Sequence, residues 1–186
     1  MSKFNEFEEA IDFSFWRKLC EEHGEPIDYA RGQYFIRAGE VMRNVGWILT
    51  GGFKHSLTDD EGNEKTVGFV FAGAVLANYV SARFGHPMPT DIVALEDSRV
   101  LVMPVKYLKE YMAANPAFHT RFVEILFDSA YRGYLNNYRS SPRERYLQLI
   151  DRYPDILSLV SRTEIASYLN ISRRQLHRIR ESYINS

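Results

Sequence analysis

Four side chains able to donate hydrogen bonds to a polyanion stand close together near the end of the sequence: Arg173, Arg174, His177 and Arg178. On a helix, Arg174, His177, Arg178 and Glu181 share one outer face, with Arg173 and Arg180 on its flank and Leu176, Ile179 and Tyr183 opposite. Arginine there has two uses, because its fork bonds guanine O6 and N7 bidentately and also pairs with phosphate. A merely solvated helix face would explain the charge. It does not explain the punctuation around it: Ser161 with Glu164 and Ser172 with Gln175 both have the spacing of a capping box. Between the boxes stands Asn170, a residue that tolerates the positive φ at which helices turn. With Ile165, Ala166, Leu169, Ile171, Leu176 and Ile179 as the shared apolar set, the segment reads as a helix-turn-helix.

The chain that must position this pair has 186 residues, 45% hydrophobic and 25% charged, which is ample for a core. Its formal net charge of −1 argues against a wholly polyanion-binding surface, but the sign is unevenly spread. From Arg139 onward nine Arg or Lys face five Asp or Glu, so the basic region is the one with the cationic helix. A single cysteine, Cys20, cannot ligate an iron–sulfur cluster and reads as a small buried hydrophobe. Nothing reads as a secretion signal or a bilayer span, so a cytoplasmic protein without a membrane partner is expected.

Residues 1–26 hold an aromatic stripe, including Phe4, Phe7, Ala10, Ile11, Phe15 and Trp16, that reads as amphipathic helix packed on the next part of the chain. Residues 27–115 change texture. Short β-branched and aromatic runs at 34–36, 46–50, 53–58, 65–71, 91–95 and 99–103 are separated by turn signals such as Gly51-Gly52 and predict an antiparallel β-roll or jelly roll. Within it, 73–89 reads as an insertion with a short helix over 75–83, able to line a pocket. A helix over 105–114 and a long one over 116–140 come next. The long helix has apolar residues on more than one face, and Phe118, Phe122, Ile125 and Leu126 are the candidate seam for self-association; burial between two domains is the other reading. Ser140-Ser141-Pro142 with Glu144 marks a hinge and a third capped helix, opening a helical region over 141–186. The fold class is α+β.

This order of parts resembles the Crp/Fnr family of bacterial transcription regulators, whose sensory part is the cyclic-nucleotide-binding fold. The residues carrying the resemblance are Gly39-Glu40, Trp47 to Gly52, Phe71-Ala-Gly73, Ala94 to Val100 and Ile165 to Arg174. It implies a homodimer joined through the long helix, binding double-stranded DNA at an inverted repeat, with RNA polymerase as a candidate partner. It also places Arg173, Arg174 and Arg178 where family members read bases, leaving Ser172 and Gln175 to the helix start and the phosphate backbone, with His177 beside them. Members that bind cyclic AMP carry a glycine–glutamate pair and an arginine in the insertion. Here Ala74 comes after Gly73, and Met88-Pro-Thr90 takes the place of the arginine. A buried phosphate without a cation is costly, so a cyclic AMP response is not expected and no cofactor is implied. Gly73, Ala74, Asn78, Ser81, Arg83 and Thr90 remain candidate contacts for some other small molecule. A pocket filled by the protein's own side chains is equally open. Little sequence is left for a β wing around the helix-turn-helix.

Two other classes compete. A rolled β domain also suits a metal-dependent oxygenase, but that needs two histidines and a carboxylate converging on one ion, and the five histidines include no His-x-His pair. A sensor or interaction module whose helix-turn-helix does not bind DNA remains the other alternative.

Overall fold

The computed structural model describes residues 13–184; Phe4, Phe7, Ala10 and Ile11 lie outside them. Helix α1 (Ser14–His23) leads into eight strands: β1 (Glu25–Tyr29), β2 (Tyr34–Ile36), β3 (Asn44–Thr50), β4 (Gly52–Thr58), β5 (Glu64–Phe71), β6 (Val75–Leu76), β7 (Asp91–Ala94) and β8 (Ser98–Pro104). The six expected strands are present. β1 was not expected, because four of its five residues are exposed and show no alternation. The insertion also differs: the short strand β6 pairs with β3 at Gly46 and Trp47, and only then comes helix α2 (Tyr79–Phe84). Asn78 fixes that start by accepting from the Ser81 N–H at 2.9 Å, and Gly85 ends the helix at φ 72°.

All pairings are antiparallel and form two four-stranded sheets, β1-β8-β3-β6 and β2-β7-β4-β5. Inward residues including Val45, Ile48, Phe53, Leu76, Ile92 and Val100 fill the space between them. Each fully buried side chain of this kind contributes on the order of 2 kcal/mol. Gly51 is required at the β3–β4 corner: φ is 81°, and the Ser98 hydroxyl sits in its place to accept from the Gly52 N–H at 3.1 Å. α1 closes one side of the roll through Trp16, which is 2% exposed and donates from Nε1 to the Gly46 carbonyl. Cys20 is buried beside it, as its type suggested, and burial pushes its thiol up to about 12.

Helices α3 (Val105–Ala114), α4 (Pro116–Arg139), α5 (Pro142–Arg152), α6 (Ile156–Leu159), α7 (Arg162–Tyr168) and α8 (Arg173–Ile184) complete the order. Among the described residues no strand comes after β8. The α5–α8 unit has its own core, with Tyr146, Ile156, Ile165 and Leu176 at its centre, but that core also takes in Phe69, Phe71 and Leu95 of the roll.

Candidate nucleic-acid interface and ligand cavity

The helix-turn-helix is built by local signals. The Ser161 hydroxyl accepts from the Glu164 N–H while the Glu164 carboxylate accepts from the Ser161 N–H, so the first capping box is complete. In the second, the Ser172 hydroxyl accepts from the Gln175 N–H at 3.1 Å. Between them Asn170 takes φ 52°, and two bonds, Asn170 N–H to the Ser167 carbonyl and Ile171 N–H to the Ala166 carbonyl, form a Schellman turn. The angle between α7 and α8 is thereby set by backbone geometry and by buried Ala166 and Leu176. Ser172, Arg173, Arg174, His177 and Arg178 are exposed and Gln175 is half-buried. His177 meets Glu181 at 3.1 Å. Two positions differ from expectation. Tyr183, assigned to the inner face, is 50% exposed, and Arg180 turns back to hydrogen-bond the Tyr146 hydroxyl, opposing the upward push that burial gives this phenol.

Two sets of contacts fix this unit to the rest. At the hinge, Arg145 donates to the carbonyls of Asn137 and Ser140 at the end of α4 and to that of Leu169 at the end of α7, at 2.8–3.1 Å. A guanidinium satisfying the orphan carbonyls of two helix C-termini is favoured by both dipoles. At the roll, α7 lies over the edge strand β5. The Thr66 N–H donates to the Ser167 hydroxyl at 2.8 Å, the Phe69 and Tyr168 rings meet at 5.3 Å, and Lys54 on β4 bridges Glu64 at 2.6 Å and Glu164 at 3.2 Å. An exposed strand edge is thus covered by a helix.

On the opposite side of β4 and β5 lies a cavity of about 340 Å³. Helices close it: α1 with Trp16 and with Phe13 just before its start, α2 with Ala82 and Arg83, α3 with Leu108, Lys109 and Met112, α4 with His119, Phe122 and Leu126. The strands supply His55, Gly68 and Val70. Burial lowers the His55 imidazole to about 4, so it faces the cavity neutral, with Thr90 Oγ1 only loosely placed at 3.5 Å from Nδ1. The Tyr79 hydroxyl and His119 Nε2 pair across the wall at 2.9 Å.

The long helix divides by environment. Phe122 is 6% exposed, and Phe118, Ile125 and Leu126 are half-buried against the core of the roll, so the four residues expected at a self-association seam are partly covered within the chain. The reason is aromatic: Phe118 sits edge-on to Phe15 at 4.8 Å, and Phe122 sits edge-on to both Phe13 and Phe15 at 6.3 Å. The uncovered stripe is further along, Phe127, Tyr131, Tyr134 and Tyr138, each more than half exposed. Its 4-3-4 spacing is that of a heptad seam.

Residues 26–115 match the family model of the cyclic nucleotide-binding domain. Solved structures similar over most of the chain include FixK2 from Bradyrhizobium japonicum, with a TM-score of 0.72 at 16% identity, covering 87% of this chain and 85% of that one. The c-di-GMP-responsive global regulator CLP of Xanthomonas campestris aligns with a TM-score of 0.65 at 13% identity over 92% of this chain and 90% of its own. The Thermus thermophilus catabolite activator protein gives 0.56 at 16% identity, over 92% and 84%. The chain has the Crp/Fnr fold. No curated protein matches it in sequence.

Within this Crp/Fnr framework the candidate ligand residues separate. Asn78 and Arg83 line the cavity. Gly73 makes a turn, its N–H bonded to the Ile48 carbonyl, and Ala74 is buried in the core. Ser81 is also buried, its hydroxyl accepting from the Met42 N–H at 3.0 Å, and Thr90 reaches the cavity only through His55. His55, Gly68, Trp16 and His119 were missed as lining. For His55 a signal existed, since it is two residues from Phe53 on a strand and so shares its inward face.

Proposed function

We propose that this chain is a homodimeric, sequence-specific DNA-binding transcriptional regulator of the Crp/Fnr type. Residues 27–115 sense, 116–140 join two copies, and 141–186 read DNA. The observation that carries this is the exposed row Arg173, Arg174 and Arg178 on a helix whose inner side is locked by a Schellman turn and two serine caps. Many family members have a glutamate where Arg174 stands, and a carboxylate accepts from cytosine whereas arginine donates to guanine, so the operator differs accordingly. Two such helices in a dimer call for an inverted repeat with half-sites about one turn, ~34 Å, apart. In this reading the exposed aromatic stripe of the C-terminal half of α4 carries the seam. In this reading cyclic AMP is not the effector, because the resemblance puts Met88, a buried core residue, where an anchoring arginine would stand.

Selection of bound sequences from a random duplex pool tests DNA binding, symmetry and specificity together. An enriched inverted repeat is expected; no retention even at low salt overturns the reading. Arg174→Ala and Arg178→Ala should each relax one base position, at a cost of about 1–3 kcal/mol per lost bidentate contact. For the seam, sedimentation of a Tyr131→Arg, Tyr138→Arg protein should show monomers that melt like the parent, because neither side chain is in the core.

A further inference from the structure

The cavity has an uneven chemistry. Its apolar wall is Trp16, Val70, Leu108, Met112, Phe122 and Leu126, with no acidic residue among the described lining groups. The one imidazole inside the roll, His55, is neutral at physiological pH. Among the described residues, the permanent charges that border the cavity are cations, Arg83 on α2 and Lys109 on α3, and both are exposed, which places them at its mouth. Neither is ion-paired with an acid among the described residues; Arg83 rests 5.6 Å from the Phe84 ring. At about 340 Å³ the space lies at the small end of the ~300–1,000 Å³ range of ligand sites.

We infer that the cavity takes an apolar monocarboxylate, with its hydrocarbon body between α1, α3 and α4 and its carboxylate at the mouth between Arg83 and Lys109. This rests on the reading of residues 27–115 as the sensory part and names its ligand class. The physical argument is one of matching. A ribose hydroxyl or second phosphate buried against Trp16, Met112 and Phe122 would lose its water with no partner on that part of the wall. A hydrocarbon body instead gains about 25 cal/mol per Å² of apolar surface removed from water. A single negative head left at the mouth keeps part of its hydration and meets two cations unopposed by any carboxylate of the described lining. Gly68 gives the inner strand wall its room, because a Cβ built there meets His55 only at ordinary contact, 3.7 Å.

The test is calorimetric titration of the full chain, without DNA, using decanoate, its uncharged counterpart decanol, and cyclic AMP, all below micelle-forming concentrations. Decanoate should bind at least tenfold more tightly than decanol, and cyclic AMP should neither bind nor compete. Arg83→Ala and Lys109→Ala, both at exposed positions, should each reduce the preference for the acid severalfold while leaving decanol unchanged. Gly68→Leu, filling the cavity from the strand side, should weaken both by tenfold or more. Absence of decanoate binding overturns the inference, as does equal binding of the alcohol, displacement by cyclic AMP, or a folded Gly68→Leu protein that binds as before. Because DNA takes no part, failure here leaves the duplex selection standing, and failure of that selection leaves this result standing.

Discussion

The two faces of the β4–β5 hairpin carry different kinds of structure. Inward, His55 and Gly68 oppose each other across the pair and leave open space; outward, Lys54, the Thr66 N–H and Phe69 are closed down on α7. One residue step along a strand separates the cavity from the α5–α8 unit. The alternation is interrupted by a bulge, where Val67 stands between the pairs His55–Gly68 and Ser56–Thr66, and Phe69 both packs on Tyr168 and borders the cavity. The inward face is loose and the outward face tight, so a change inside the roll has a short mechanical route to the helix-turn-helix.

The largest effect should come from the residue common to both faces. Phe69 is 2% exposed, and Phe69→Ala should cost about 3–5 kcal/mol and separate the melting of the roll from that of the α5–α8 unit. Calorimetry checks it: one unfolding transition in the parent, two in the variant. A single transition shifted as a whole would mean that the outward face does not hold the two units together.

The ionic part of the outward face comes next. Burial pushes the Glu164 carboxyl up, but hydrogen bonds from Ser161 and Lys54 outweigh this and hold it below the usual carboxylate range. Burial likewise disfavours the charged Lys54, and Glu64 and Glu164 outweigh it to raise its pKa. A depressed folded-state pKa means that the stabilisation from Glu164 is present above its unfolded-state value near 4.5 and is lost as pH falls through the lower folded value. Stability should therefore drop with acidification below about pH 4.5. Lys54→Met should cost about 1–2 kcal/mol at neutral pH and flatten that acid limb. An unchanged limb would assign it to other carboxylates. Ser167→Ala, which removes the acceptor of the Thr66 N–H, should cost about 1 kcal/mol.

The helix-turn-helix was legible because its signals are local: caps three residues apart and one Asn that turns through positive φ. The strands with alternating patterns were legible for the same reason. What eluded sequence reasoning depends on which distant surface claims a given apolar side chain. Phe118 and Phe122 look the same on a helical wheel whether or not another element covers them, and the packing of Phe13 and Phe15 against them comes from outside the helix. The cavity was hidden likewise, since its walls come from α1, β4, β5, α2, α3 and α4. The insertion, where Asn78 and Gly85 carried readable cap signals, misled because Val75–Leu76 suit a short strand as well as the start of a helix.

The smallest expected effect bears most directly on the comparison. Gly68→Ala adds one methyl group to the inward face, where the nearest atoms are those of His55 at 3.7–3.9 Å, so no clash opposes it. Gly68 carries no positive φ, and replacing glycine in a strand reduces the freedom of the unfolded chain, so stability should rise by about 0.4–1 kcal/mol. The cavity should shrink while Lys54–Glu164 and Thr66–Ser167 stay in place. Hydrogen exchange at the Thr66 amide reads this out, since that N–H is satisfied by the helix-turn-helix itself. Unchanged protection with higher overall stability means that the faces are separable and that coupling runs through Phe69. Faster exchange at Thr66 would show instead that the inward face presses on the outward one along the whole hairpin.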